Sequence, residues 1–176
     1  IYGGLIFVES SPRAVNEEQA RKVMAAAPLN YVGVFRDADI NDVAAKADAL
    51  SLSAVQLHGD EDQAYIDALR HALAPQVQIW KAQSVGATLP ARNLKHVDKY
   101  VLDNGQGGTG QRFDWSLLRG EVLDNVLLAG GLSPDNCVEA AKTGCAGLDF
   151  NSGVESQPGI KDASKLASVF KTLRAY

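Results

Sequence analysis

Short runs of apolar, often β-branched residues punctuate the chain, and polar residues or glycine follow almost every one. The runs are Tyr2 to Val8, Tyr31 to Arg36, Ala54 to His58, Val77 to Ala82, Lys99 to Asp103, Val126 to Ala129 and Gly147 to Phe150. Between most of them, apolar residues recur at three- and four-residue spacing, as on one face of a helix. Glu17 to Ala26, Ile40 to Leu50, Asp62 to Leu73, Pro134 to Lys142 and Ala163 to Leu173 carry that pattern. Cap signals support these boundaries: Asn16 or Asp60 before an acidic first turn, Ser133-Pro134 as N-cap and first helical residue, and Gly144 after a last turn. Strands apolar on both faces, alternating with helices, predict a parallel sheet covered by helices, an α/β fold.

An open doubly wound sheet and a closed (βα)8 barrel both satisfy that alternation. The strand ends favour the barrel, where chemistry gathers beyond the C-terminal end of each strand. Here the runs end in Ser11-Pro12-Arg13, Arg36-Asp37, His58-Gly59, Lys81, Asp103-Asn104, Gly130-Gly131 and Asn151-Ser152-Gly153. A barrel of this type has eight strands and about 250 residues, whereas only seven runs occur in these 176 residues. Ile1-Tyr2-Gly3-Gly4 already reads as a strand, so the expectation is one incomplete barrel domain over residues 1–176, with the first βα unit absent.

Composition narrows the function classes. Acidic residues outnumber basic ones 21 to 17 without any block of like charge, which argues against a nucleic-acid partner. No apolar run approaches the roughly 18 residues of a membrane span, and the N-terminus lacks a signal-peptide pattern. A cytoplasmic setting is the expectation. The two cysteines, Cys137 and Cys145, match neither a disulfide framework nor a zinc pattern and read as reduced core residues.

Gly105, Gly107 and Gly110 match the G-x-G-x-x-G spacing of a dinucleotide site. That reading requires a helix opening at the last glycine and an acid closing the next strand. Gly110 is followed by Gln111-Arg112-Phe113, and the next strand ends in Ala129-Gly130-Gly131, so neither condition is met. A mobile lid beside an acid, Asp103, accounts for the glycines and for the strand terminus together. The loops holding Gly130-Gly131 and Asn151-Ser152-Gly153 suit a phosphate, because glycine admits close backbone approach and exposed N–H groups donate. Tight barrel turns would use the same glycines.

Taken together, Gly4-Leu5-Ile6-Phe7 with Ser11-Pro12-Arg13, Val55-Gln56-Leu57-His58-Gly59, Leu102-Asp103, Ala129-Gly130-Gly131-Leu132 and Asn151-Ser152-Gly153-Val154-Glu155 resemble phosphoribosylanthranilate isomerase. The likeness runs in order from Ile1 to Tyr176 and is greatest to the isomerase half of the bifunctional bacterial protein whose preceding barrel is indole-3-glycerol phosphate synthase. It implies an Amadori rearrangement of N-(5′-phosphoribosyl)anthranilate in tryptophan biosynthesis, with no cofactor and no metal. It implies Asp103 as general acid, and Arg13, His58 and Asp149 as substrate-binding residues. Gly130, Gly131, Asn151, Ser152 and Gly153 would hold the phosphate. A loop cap at Asp103, a surface arginine at Arg13, a histidine satisfied by loop backbone at His58 and a structural hydrogen bond to the barrel at Asp149 are the structural alternatives.

One departure stands out. The family's general base is a cysteine in a Lys-x-Cys-Gly-x-Thr motif on the first strand, and neither Cys137 nor Cys145 lies in such a motif. The expectation is therefore an isomerase domain inactive or impaired in isolation, with a non-catalytic ribose-phosphate binder as the competing function. Unpaired edges on a seven-stranded remainder invite self-association.

Overall fold

The computed structural model describes residues 1–105 and 112–176. Seven strands form one sheet in which strand order is chain order: β1 (Tyr2–Ile6), β2 (Asn30–Phe35), β3 (Ala54–Leu57), β4 (Gln78–Ser84), β5 (Lys99–Asp103), β6 (Val126–Leu128) and β7 (Gly147–Leu148). Each matches an apolar run of the sequence. Between them lie helices α1 (Glu17–Ala26), α2 (Ile40–Ala49), α3 (Gln63–Ala72) and α4 (Cys137–Ala141), with α5 (Ala163–Ala175) closing the chain. The class is α/β, as the alternation predicts.

The described residues fall into two compact units. The first comprises Ile1–Ala82 and Asn93–Asp98. Here β1 to β4 pair in parallel, with Gly3 beside Tyr31, Val34 beside Gln56 and Val55 beside Ile79. All four residues of β3 are buried, which explains why its sequence shows no alternation. Leu5, Phe35, Val55, Leu57, Ile66, Leu69 and Ile79 make the core, each contributing about 2 kcal/mol by leaving water. α1 begins where the Asn16 side chain accepts from Gln19 N–H and the Gln19 side chain accepts from Asn16 N–H, both at 2.9 Å. That reciprocal cap contributes about 1 kcal/mol. For α3 the cap is Asp62 rather than Asp60, accepting from Tyr65 N–H at 2.9 Å.

The second unit comprises Gln83–Arg92 and Lys99–Tyr176, with β5, β6 and β7 pairing in parallel. Its core holds Leu102, Leu118, Val126, Leu128, Leu132 and Ala140. Asp114 caps a short 3-10 helix, Trp115–Leu118, through Ser116 N–H. Two features depart from the sequence reading. α4 starts at Cys137, because Ser133-Pro134 opens a turn that the Asn136 side chain closes by accepting from Ser133 N–H at 2.9 Å. After β7 the chain forms a small antiparallel hairpin of β8 (Glu155–Gln157) and β9 (Ile160–Lys161) before α5.

Candidate active site

In the first unit, the loop after β1 is held by its own backbone: Ser11 N–H donates to Val8 O and Val15 N–H to Ile6 O, both at 2.9 Å. Ser11 Oγ accepts from Arg13 N–H at 3.1 Å, which sets the Ser-Pro-Arg turn and leaves Arg13 half-buried. His58 follows β3 directly. Its N–H donates to Phe35 O at 2.8 Å, while its imidazole is exposed.

The turn after His58 is clamped by a buried ion pair that the sequence did not reveal. Lys81 Nζ lies 3.0 Å from Glu61 Oε2, and the side chains are 7% and 1% exposed. Glu61 accepts from Gly59 N–H through Oε2 and from Asp37 N–H through Oε1, both at 2.9 Å. Lys81 Nζ donates to Gly59 O at 2.7 Å. Both polar backbone groups of Gly59 are therefore taken by the pair. Lys81 does not end its strand, as its sequence position suggests, since β4 continues to Ser84 and the ammonium is spent inside the fold.

Tyr65 packs above the same corner and donates to Ala38 O at 2.8 Å. Burial, and then the carboxylates of Glu61, Asp39 and Asp37, push its phenol up to about 12.

In the second unit, Asp103 is the last residue of β5 and 8% exposed. Its Oδ1 accepts from Gly105 N–H at 2.6 Å and its carbonyl accepts from Val85 N–H at 2.7 Å. The loop-cap bond expected of a structural aspartate is thus present, and it fixes the carboxyl group at the strand end. Residues 106–111, which carry Gly107 and Gly110 of the expected lid, lie outside the described residues.

The two loops proposed for phosphate meet each other. Gly130 and Gly131 take φ of 84° and 68°, left-handed values in succession that side chains rarely adopt. Beyond them, a Cβ on Gly153 would collide with the Leu132 carbonyl, so only glycine lets the loop after β7 lie on the loop after β6. Asp149 is half-buried and its N–H donates to Leu128 O at 2.8 Å, continuing the β6–β7 ladder. Asn151, exposed, is gripped from the hairpin: Lys161 Nζ donates to Asn151 Oδ1 at 2.6 Å and to Asn151 O at 3.1 Å. The same ammonium lies 2.8 Å from Glu155 Oε1, whose side chain is 4% exposed. Lys161 was not singled out by sequence, although Pro158-Gly159 is a turn signal that marks the hairpin carrying it.

Cys137 is buried with Sγ 3.4 Å from Pro134 O, and burial pushes the half-buried Cys145 thiol up, so both fit structural roles. Among the described residues, no three His, Cys, Asp or Glu side chains gather as a metal site. No helix among them is long and apolar enough to cross a membrane.

The sequence pattern of N-(5'phosphoribosyl)anthranilate (PRA) isomerase matches residues 1–172. The chain belongs to the phosphoribosylanthranilate isomerase family. Among curated relatives, the tryptophan biosynthesis protein TrpCF of Salmonella typhi is 75% identical over 176 residues, covering 100% of this chain and 39% of the relative. TrpCF of Yersinia pestis is 65% identical, covering 100% of this chain and 37% of the relative. The chain thus spans less than two-fifths of the length of the curated relatives it matches. The crystal structure of the isomerase from Thermus thermophilus superposes with a TM-score of 0.83 at 30% identity, covering 99% of this chain and 88% of that one. The order and character of the strand ends, read from sequence as those of this isomerase family, agree with that membership.

Proposed function

We propose that residues 1–176 are the larger part of one (βα)8 barrel domain that isomerises N-(5′-phosphoribosyl)anthranilate to 1-(2-carboxyphenylamino)-1-deoxyribulose 5-phosphate. The observation that carries the reading is Asp103, an acid held by the Gly105 N–H at the C-terminal end of a strand, in a chain of this family. Asp103 donates a proton to the furanose ring oxygen, the C1–O bond breaks, and the nitrogen lone pair forms an iminium. A base then removes the C2 proton, giving an enolamine that tautomerises to the ketone. The iminium serves as electron sink, so the reaction needs no cofactor.

Arg13 offers a guanidinium fork to the anthranilate carboxylate. His58 lines the substrate pocket, Asp149 contacts the sugar hydroxyls, and Gly130, Gly131, Asn151, Ser152 and Gly153 receive the phosphate. The base does not come from Cys137 or Cys145, which are buried or half-buried and outside the family's cysteine motif. It belongs to an eighth βα unit carrying Lys-x-Cys-Gly-x-Thr, and a preceding indole-3-glycerol phosphate synthase domain is the expected partner in a cytoplasmic protein. β1 and β7 are the two ends of the strand order, which supports self-association of the chain through those edges.

Turnover is followed by loss of substrate fluorescence, with the chain alone and with a family strand bearing the cysteine motif fused ahead of Ile1. The chain alone should give a flat trace. The fused form should turn over, and Asp103→Asn should slow it by about 10²-fold or more. An unchanged rate in Asp103→Asn, or turnover by the chain alone, would overturn the assignment of acid or base. A fused form that binds ribose 5-phosphate without turnover points to the non-catalytic binder. Light scattering on the unfused chain tests self-association, and a clean monomer refutes it.

A further inference from the structure

We propose that Lys161 is a positioning residue for phosphate, acting through Asn151. The inference rests on the phosphate reading of the two loops given above. An ammonium has only donors, so whatever accepts from it must turn an oxygen towards it. Lys161 Nζ is 2.6 Å from Asn151 Oδ1, and this contact settles which way the amide points. With the oxygen taken by lysine, the amide presents its two N–H donors on the far side, and the Asn151 side chain is exposed.

A phosphate accepts and cannot donate when fully ionised, so it selects an asparagine in this orientation and is repelled by the flipped one. The second bond, from Lys161 to the Asn151 carbonyl at 3.1 Å, removes that oxygen as well from the face an anion would meet. One side chain therefore turns both oxygens of Asn151 away from an anion.

Glu155 explains why the lysine stays in place. Its carboxylate, 4% exposed, holds Lys161 Nζ at 2.8 Å, and its backbone carbonyl accepts from Lys165 Nζ at 2.7 Å. The ammonium is thus tethered to a buried counter-charge on β8, while its reach across to Asn151 is fixed by the β8–β9 register, which pairs Glu155 with Lys161. Ser152 and Gly153 follow Asn151 directly, and Gly153 rests on the Leu132 carbonyl, so the orientation of Asn151 is set beside both loops.

The test titrates ribose 5-phosphate calorimetrically into the 176-residue chain and into Lys161→Met, Asn151→Ala and the double variant. All are made with and without Glu155→Gln, which removes the carboxylate that Lys161→Met would strand. Lys161→Met and Asn151→Ala should each weaken binding about tenfold, and the double variant should be no weaker than the poorer single one. Lys161→Arg, which restores a donor-only cation, should recover most of the affinity. Full affinity in Lys161→Met, or losses that multiply in the double variant, would overturn the proposal, since a residue acting only on general stability or through its own contact gives that result. If the wild-type chain fails to bind at millimolar ribose 5-phosphate, the phosphate reading itself fails. The Lys161 inference is then decided by the Asn151 side-chain amide resonances, which must shift in Lys161→Met and which refute it if unchanged.

Discussion

Replacing Lys81 with methionine keeps an unbranched side chain, one heavy atom shorter, but leaves Glu61, 1% exposed, without its cation. Four acceptors surround the ammonium: Gly59 O at 2.7 Å, Glu61 Oε2 at 3.0 Å, Ala82 O at 3.3 Å and Leu57 O at 3.4 Å. Breaking a buried pair costs about 3–5 kcal/mol, because the remaining charge keeps its desolvation penalty. Glu61 retains two backbone donors, Asp37 N–H and Gly59 N–H, which places the cost at the low end, about 3 kcal/mol. For a chain of this size that lowers the melting temperature by about 6–12 °C. Urea unfolding of Lys81→Met, Glu61→Gln and the double variant measures it. The double variant should recover about half of the loss in Lys81→Met, since no ionised group is then left buried. A single-variant cost below about 1 kcal/mol, or a double-variant cost equal to the two single costs together, would refute the argument that the pair is desolvated and coupled.

Gly153→Ala should destabilise the chain by about 1–3 kcal/mol and abolish ribose 5-phosphate binding, because the new methyl meets a backbone carbonyl rather than a flexible side chain. Calorimetric titration showing undiminished affinity would count against the packing of the two loops. Tyr65 has its phenol raised from 10.0 to about 12, so above pH 10 the unfolded chain releases this proton before the folded one does. Its stabilising contribution is therefore full below pH 10 and is lost as pH climbs towards about 12. Urea midpoints across that range should fall less steeply in Tyr65→Phe, and identical slopes would refute the role of burial at this phenol.

The central strands were legible because parallel strands buried on both faces, as β3 is throughout, must be continuous apolar runs, and the less buried β1 and β7 still carry enough apolar residues to show. Helix starts were less legible. Ser133-Pro134 has the chemistry of a cap, yet Asn136 takes the Ser133 N–H and uses that signal for a turn. β8 and β9 escaped notice because strands of three and two residues, mostly exposed, carry no period to read.

The placement of His58, Asp103 and Asp149 at or just past strand ends could be read from the apolar runs, whereas the roles proposed for them and for Arg13 come from the family resemblance. Their supports could not be read in this way. Glu61 and Lys81 are twenty residues apart, and Asn151 and Lys161 ten, and nothing in composition links a lysine to the carboxylate or amide that will hold it. Lys81 in particular read as a group at the mouth of the strand, whereas β4 runs three residues further and takes it inside.

The ladder joining β5, β6 and β7 thins along the chain. Three residue pairs link β5 to β6, and two link β6 to β7. Beyond that ladder the segment around Asn151 is held by single main-chain bonds, Asp149 N–H to Leu128 O at 2.8 Å and Val154 N–H to Asn151 O at 3.3 Å, together with the ties from Lys161. Such a segment opens at a free energy well below that of the whole fold. Warming would accordingly release this corner as a separate cooperative piece, and any ligand gripping it would raise the protection of its amides before that of the core.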